Sequence, residues 1–301
     1  MTSRVFSKGF ALIILLAVLT AAGTVRAGIA TPAATQNYQQ SPSALDDASL
    51  VVQSWEKDGL LGAEVQGQLA SPFAEVRETL PRPESWCEFL PLVFNIKSCT
   101  YAARDGRNEL TLYVGRKFYE APKEAFQIRY DFHVEAQQQD RFRILLTAPE
   151  GPYGTRDYRI EVEAWEEAGG RTSLRMDSSF RPSLRSMLAT RAYLATAGRD
   201  KVGFSIQGDE ANYVNGTGGI IERNAMRYFL ALKAHLDTIG LAENEQLEAR
   251  LHAWYDMTAR YPQQLYEMDK DEYLDTKRRE WVQQRQLQEG VSQRALAPAH
   301  R

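Results

Sequence analysis

Cysteine is nearly missing: Cys87 and Cys99 are the two in 301 residues. They do not stand in CxxC spacing, which excludes a redox dithiol motif, and two thiols alone do not make a structural zinc site. Histidine is almost as scarce, and His133, His235, His252 and His300 show no ligand spacing. No metal and no cofactor are therefore expected. Signatures of catalysis are missing as well. The stretch GFSIQG, Gly203 to Gly208, sets glycine at the wrong distance from Ser205 for a nucleophile elbow. No phosphate loop or zinc helix occurs. Carboxylates fall on positions read as wet faces, none alone on a dry face where burial would raise its pKa, so no catalytic residue is assigned. Positive charge is not in excess either. Lys and Arg number 36 against 39 Asp and Glu, for a net charge of -3, which argues against a nucleic-acid partner held by phosphate neutralisation.

Long apolar runs are limited to the beginning. Arg4 and Lys8 precede an apolar stretch from Gly9 to Val18 that ends in small residues, Thr20 to Gly23. This is the pattern of a secretory signal, 1–27, with cleavage after Ala27, where Val25 and Ala27 are small enough, or after Ala22. The stretch is shorter than the roughly 20 residues that span a bilayer. No cysteine lies near either site for a lipid anchor, and no twin arginine precedes the run. Loss of 1–27 would remove three basic residues and move the net charge from -3 to -6. The expectation is a mature chain that is periplasmic or secreted, where an even pair of cysteines close in sequence forms a disulfide, Cys87 to Cys99.

Residues 28–45, rich in Ala, Thr, Gln, Ser and Pro, read as a flexible linker. Asp46 to Lys57 reads as a short helix with Leu50, Val51 and Trp55 on one side. Leu60 to Ala70 is a strand in which Ala63, Val65 and Gly67 alternate with polar neighbours. Ser71 and Pro72 then open a helix, serine as its cap and proline at its first position, through Leu80. Pro81 and Pro83 launch a second one through Trp86, Phe89 and Leu90, broken at Pro91. Six strands follow, at Val93 to Ala103, Glu109 to Tyr119, Ala125 to Ala136, Arg141 to Thr147, Arg156 to Glu166 and Arg171 to Arg181. Asp105-Gly106, Gln137 to Asp140 and Gly169-Gly170 provide turn chemistry between them.

The stretch AFQIRYDFHVEA alternates almost without fault. Phe126, Ile128, Tyr130, Phe132 and Val134 share one side, and Gln127, Arg129, Asp131, His133 and Glu135 the other. Leu110, Leu112, Val114 and Phe118, then Tyr158, Ile160 and Val162, then Leu174, Met176 and Phe180 repeat the pattern. Arg159, Glu161, Glu163, Arg175 and Asp177 occupy opposite faces. One sheet with a wet outer side results. Its cover is Gly218 to Ile239, where Ile221, Ala225, Tyr228, Leu232, Leu236 and Ile239 recur at helical steps before Gly240. Asn215-Gly-Thr reads as a turn before this helix.

The order strand, two short helices, six strands, long helix resembles the helix-grip fold of the START-like (polyketide cyclase-like, SRPBCC) superfamily. The resemblance runs from about Leu60 to Ile239. SPFAEVRETL looks like the family's first helix and PESWCEFLP like its second. It implies an α+β fold, a curved antiparallel sheet of about seven strands wrapped on a long C-terminal helix, over residues 46–240. Two departures stand out. Residues 183–208 form an insertion, with a helix from Ser183 to Thr196 and an added strand from Val202 to Ile206. Residues 241–289 add two helices around Pro262, solvated and laced with pairs such as Asp275 with Arg279. Residues 290–301 read as a disordered tail.

The resemblance further implies a cavity between sheet and helix that holds an apolar molecule. Its expected walls are Phe126, Tyr130, Phe132, Tyr158, Met176 and Phe180, facing Ile221, Tyr228 and Leu232. Tyr130, Tyr158 and Asn224 need polar partners that a ligand could supply. His235, near the helix end, is placed to favour a cationic imidazole. A carrier or sensor of a lipid-like or polycyclic apolar ligand is the first reading. Ser183 to Thr196 would be its gate, with Arg185, Arg191, Leu184 and Met187 touching a membrane surface transiently. A cyclase or isomerase using Tyr130, Tyr158 or His235 on a carbonyl is the second. A filled-core protein is the third, forming a homodimer or binding a partner through exposed Trp254, Tyr255, Tyr261, Tyr266, Tyr273 and Trp281.

Overall fold

The computed structural model describes residues 50–104, 106–207 and 212–296. The expected signal segment, the linker and the last residues of the expected tail lie outside them. β1 (Val51–Lys57) and β2 (Leu60–Pro72) pair as an antiparallel hairpin. Asp58 and Gly59 turn between them at φ 53° and 72°, the left-handed conformation a two-residue hairpin turn demands. The expected helix over Asp46 to Lys57 is therefore a strand over its described part. Leu50, just before the strand, and Val51 fall on opposite faces, Leu50 against the core and Val51 54% exposed, so the helical spacing is not used and pairing with β2 decides the element. Trp55 stands opposite Gly62, where a Cβ would meet the indole at 2.3 Å. The indole nitrogen donates to Asp177 Oδ2 at 2.9 Å.

α1 (Phe73–Thr79) starts without the expected serine cap: Pro72 is its N-cap, Ser71 belongs to β2, and Phe73 N donates to Gly170 O. α2 (Pro83–Phe89) begins at its proline, as expected, and a single 3₁₀ turn follows at Leu90–Leu92. Then come β3 (Ile96–Arg104), β4 (Arg107–Val114), β5 (Phe126–Gln137), β6 (Arg141–Glu150), β7 (Arg156–Glu166) and β8 (Arg171–Arg181). β4 stops at Val114, so Phe118 lies in a loop and is exposed rather than on the dry face. The sheet is antiparallel with the order β1-β2-β8-β7-β6-β5-β4-β3. It has eight strands rather than about seven, β1 making the difference.

The two faces follow the alternation. Val65, Met176, Val162, Ile144 and Leu110 are buried on the inner side. On the outer side Arg175 lies 2.8 Å from Glu163, and Arg143 3.6 Å from Glu161, in a cross-strand network. α4 (Gly216–Leu236) lies against the inner face, on β1, β2 and β8. Its Phe229 reaches Gly67, where a Cβ would stand 2.9 Å from the ring. This α+β arrangement, a curved sheet closed over one long helix, is the expected architecture.

The insertion holds α3 (Leu184–Leu194), closed by a reciprocal cap between Ser183 and Ser186. The added strand is smaller and later than expected. β9 (Ile206–Gln207) pairs only with β10 (Asn212–Tyr213), apart from the main sheet. Asn215 is the N-cap of α4, and Gly216 and Thr217, expected in a turn before the helix, are already its first residues.

The helices beyond α4 are integral rather than solvated scaffolding. α5 (Glu243–Thr258), α6 (Pro262–Leu265) and α7 (Lys270–Leu296) follow, so α7 runs past 289 into the expected tail. Trp254 and Tyr273, read as exposed contact residues, are 0% exposed, stacked on each other at 5.0 Å with Phe94 edge-on to both at 5.0 and 5.4 Å. Asp275 pairs with Arg278, while Arg279 stacks on Tyr119 at 3.8 Å. α7 also covers the edge strand β3. Gln284 accepts from Cys99 N and donates to Cys87 O, both at 2.9 Å. Gln288 does the same for Tyr101 N and O. At Cys99 N and Tyr101 N and O the two amides occupy backbone groups that a sheet edge otherwise offers to another chain, while Cys87 O belongs to α2. Beside them Glu280 joins Lys97 and Lys277, each at 2.8 Å, and all three are nearly closed to solvent. Cys87 and Cys99 form the expected disulfide, with Cα atoms 4.9 Å apart.

Candidate ligand-binding cavity

Alternation sends Ile128 and Tyr130 of β5, Tyr158 and Ile160 of β7 and Phe180 of β8 to the inner face. α4 does not fill the space above them. A cavity of about 500 Å³ remains, closed on the far side by Ile221, Asn224 and Tyr228 of α4. That volume lies within the range of small-molecule sites, about 300–1,000 Å³. Leu112, Phe94 and Leu90 extend the apolar wall.

Of the ten residues expected at the cavity, Tyr130, Tyr158, Phe180, Ile221, Asn224 and Tyr228 line it. Phe132, Met176 and Leu232 do not; they are buried in the solid core, Phe132 edge-on to Trp86 at 5.7 Å. Period two assigns a face but not the place along the strand where the helix lifts away. Phe126 does not line it either. It is 41% exposed and packs on Tyr153 at 5.8 Å.

The phenol of Tyr158 has a polar partner. Tyr158 Oη and Thr155 Oγ1 are 2.7 Å apart, and the Tyr158 ring covers Gly151, where a Cβ would lie 2.3 Å away. Tyr130 packs edge-on to Tyr158 at 6.4 Å, and Tyr158 stacks on Phe180 at 5.5 Å. Burial holds the Tyr130 hydroxyl well above its ordinary range, with the Tyr158 and Tyr228 hydroxyls adding to it. Burial also pushes Tyr158 up to about 12, with the hydrogen bond between Tyr158 and Thr155 opposing it. Both stay protonated at neutral pH, and the Tyr158 hydroxyl donates to Thr155 Oγ1, whose own proton goes to Pro152 O.

Sequence reasoning missed the charged part of this wall. Arg223 and Arg227, one helical turn apart on α4, and Lys117 and Glu267 from loops all line the cavity. Glu267 lies 2.6 Å from Arg227 Nη2 and 2.6 Å from Lys117 Nζ. Burial works to raise the Glu267 carboxyl, but the fields of Arg227, Lys117 and Lys201 outweigh it and bring the group down to about 2. Burial brings Lys117 down to about 8, against the pull of Glu267 and with repulsion from Arg227. The reading of carboxylates as confined to wet faces also fails at Glu222. It is 0% exposed on α4 and accepts from Ser54 N, Phe204 N and Ser205 N at 2.7–2.9 Å. α4 is enclosed by the sheet, α5 and the insertion, so even its polar side is buried. One sequence signal was present: charged residues inside an otherwise apolar helix, at 222, 223 and 227.

His235 takes no part. Both ring nitrogens are buried without a partner, and burial, aided by Arg250 and Arg82, lowers it to about 3. It is neutral in the folded chain, not the cation that the helix end was expected to favour. Among the described residues no cluster of His, Cys, Asp and Glu could hold a metal, and no helix is long and apolar enough to cross a membrane.

Sheet, enclosed helix and the gap between them together define the fold. It is a helix grip. No family model matches the chain, and no curated protein matches it in sequence. Solved structures resemble it at low identity. Ara h 8.0201 is 10% identical over 59% of this chain and 98% of its own, with TM-score 0.36. The Zhui aromatase/cyclase of a Streptomyces species is 13% identical over 65% and 94%, with TM-score 0.30. A major latex-like protein from Panax ginseng is 14% identical over 46% and 97%, with TM-score 0.31. None of these likenesses bears on what this helix grip does.

Proposed function

We propose that the protein is a periplasmic or secreted carrier or sensor that holds a lipid-like or polycyclic small molecule between the sheet and α4. The observation that carries this reading is the unfilled space of about 500 Å³ walled by Tyr130, Tyr158, Phe180, Ile221 and Tyr228. Enclosure by apolar and aromatic side chains with a few convergent polar groups is the composition of a small-molecule site. The Cys87–Cys99 disulfide supports an oxidising compartment, as does the secretory pattern of 1–27.

α3 is the gate in this reading. Pro182, Ser186, Met187 and Thr190 line the cavity, while Leu184 and Leu188 turn outward, 69% and 55% exposed. Exposed leucines beside Arg185 suit transient contact with a membrane surface during loading. The test is organic extraction of purified protein followed by mass spectrometry, with displacement of a fluorescent apolar probe. Wild type should yield a stoichiometric small molecule and bind the probe, and Ile221→Trp, which fills the cavity, should do neither. Equal binding by both proteins contradicts the reading.

A cyclase or isomerase is the second reading, favoured by the two protonated phenols in the cavity wall. Tyr130, or Tyr158 once turned from Thr155, would donate to a substrate carbonyl; His235 is removed from that role by its burial outside the cavity. Turnover of a carbonyl ligand that Tyr158→Phe abolishes without loss of binding would favour the enzyme over the carrier.

A further inference from the structure

Two cations, Lys117 and Arg227, pair with one carboxylate at the cavity wall, and Arg223 lines the same wall. Lys117 and Arg227 each lie 2.6 Å from Glu267, and Lys201 and Arg223 are close enough for their charges to act on it or on Arg227. Glu267 can neutralise one of them. Arg223 otherwise finds the carbonyl of Val202 at 3.2 Å and the hydroxyl of Tyr193. Arg227 is only 4% exposed, yet its Nε has no hydrogen-bond acceptor. A desolvated guanidinium with an idle donor is costly unless an acceptor arrives. The same cavity is apolar along Leu112, Ile128 and Tyr130. An apolar trough ending in surplus, partly desolvated positive charge is complementary to one kind of molecule, an amphiphile with an anionic head. Guanidinium groups in particular match carboxylate and phosphate oxygens two at a time.

We infer that the ligand carries a carboxylate or phosphate head group, held by Arg223, Arg227 and Lys117, with its apolar body against the sheet. This rests on the cavity reading above and adds the head group to it. Glu267 is the counter-charge that keeps the cations together when the site is empty, and it competes with the ligand's anion. Neutralising it should therefore tighten anion binding, an outcome that a purely structural ion pair does not produce.

The test is calorimetric titration of the full chain with dodecanoate, dodecyl phosphate, and methyl dodecanoate as the uncharged control. At least one anion should bind ten-fold or more tighter than the ester, and which one does identifies the head group. Glu267→Gln should widen that ratio, and Arg227→Gln should bring it close to one. The comparison of acid and ester on the unaltered protein stands even if a variant misfolds. Equal binding of all three probes overturns the head-group assignment while leaving the carrier reading intact. Binding of none overturns both.

Discussion

Arg227 Nη2 lies 2.6 Å from Glu267 Oε1, and the two side chains are only 5% and 10% exposed. The contact ties α4 to the loop before α7, so the long helix and the C-terminal helices share one electrostatic centre. Removing one partner of such a pair leaves an uncompensated buried charge. Glu267→Gln should lower stability by about 3 kcal/mol, the low end of the range for buried pairs, because Lys117 is partly open to solvent and its share is screened. Urea denaturation measures this. The pH dependence has a fixed sign. The folded carboxyl titrates at about 2, below its ordinary value of 4.5, so its stabilisation is present above pH 4.5 and is lost as pH falls toward 2.

His235 adds a second acid limb. Its folded pKa of about 3 lies below the ordinary 6.5, so the unfolded chain takes up the proton first. Stability contributed by the neutral ring is full above pH 6.5 and declines as pH falls through 3. Between pH 7 and pH 5 the loss should be about 2 kcal/mol. His235→Phe keeps the ring's packing on Phe89 and removes the titration. Its stability should be flatter over that interval, and a parallel decline in both proteins would contradict the assignment.

Glu280 is the counter-ion of both Lys97 and Lys277 under α7. Glu280→Ala should cost about 3–5 kcal/mol, because two buried ammonium groups lose their anion. It should also loosen the edge of β3. Hydrogen exchange at the Cys99 and Tyr101 amides, now bonded to Gln284 and Gln288, is expected to quicken before the rest of the sheet. Unchanged protection at those two amides would mean that α7 does not close the edge.

The disulfide closes a short loop, with a sequence separation of 12 between Cys87 and Cys99. Constraint of the unfolded chain by a loop of that size is worth about 3 kcal/mol. Reduction should shift the guanidinium midpoint downward by the corresponding amount without loss of the fold, since Gln284 still bridges the two segments. An unchanged midpoint would show that the loop is held by packing alone.

Much of the fold was legible because its signals are local. Period-two alternation marks the strands around Tyr130, Tyr158 and Met176, and three- and four-residue steps mark α4. What was not legible depended on partners distant in sequence. β1 is a strand because β2 offers it an edge, and Trp254 is buried because Phe94 and Tyr273 meet it. The cavity followed the same rule. The face of each wall residue was readable, but where α4 lifts from the sheet was not, so Phe132, Met176 and Leu232 were placed in the wall and proved to be core. Its charged side was missed because Lys117, Arg223, Arg227 and Glu267 come from three separate elements, of which only α4 carries a signal, its charged residues at 222, 223 and 227.

On this reading the gap between sheet and α4 receives a molecule. Crystal structures of the protein grown with dodecanoate and with dodecyl phosphate test that most directly. In at least one, density should run from the phenols of Tyr130 and Tyr158 to an anionic head group within hydrogen-bond distance of Arg227. A gap that contains only water in both, or one closed by movement of α4 onto Ile160, would contradict it.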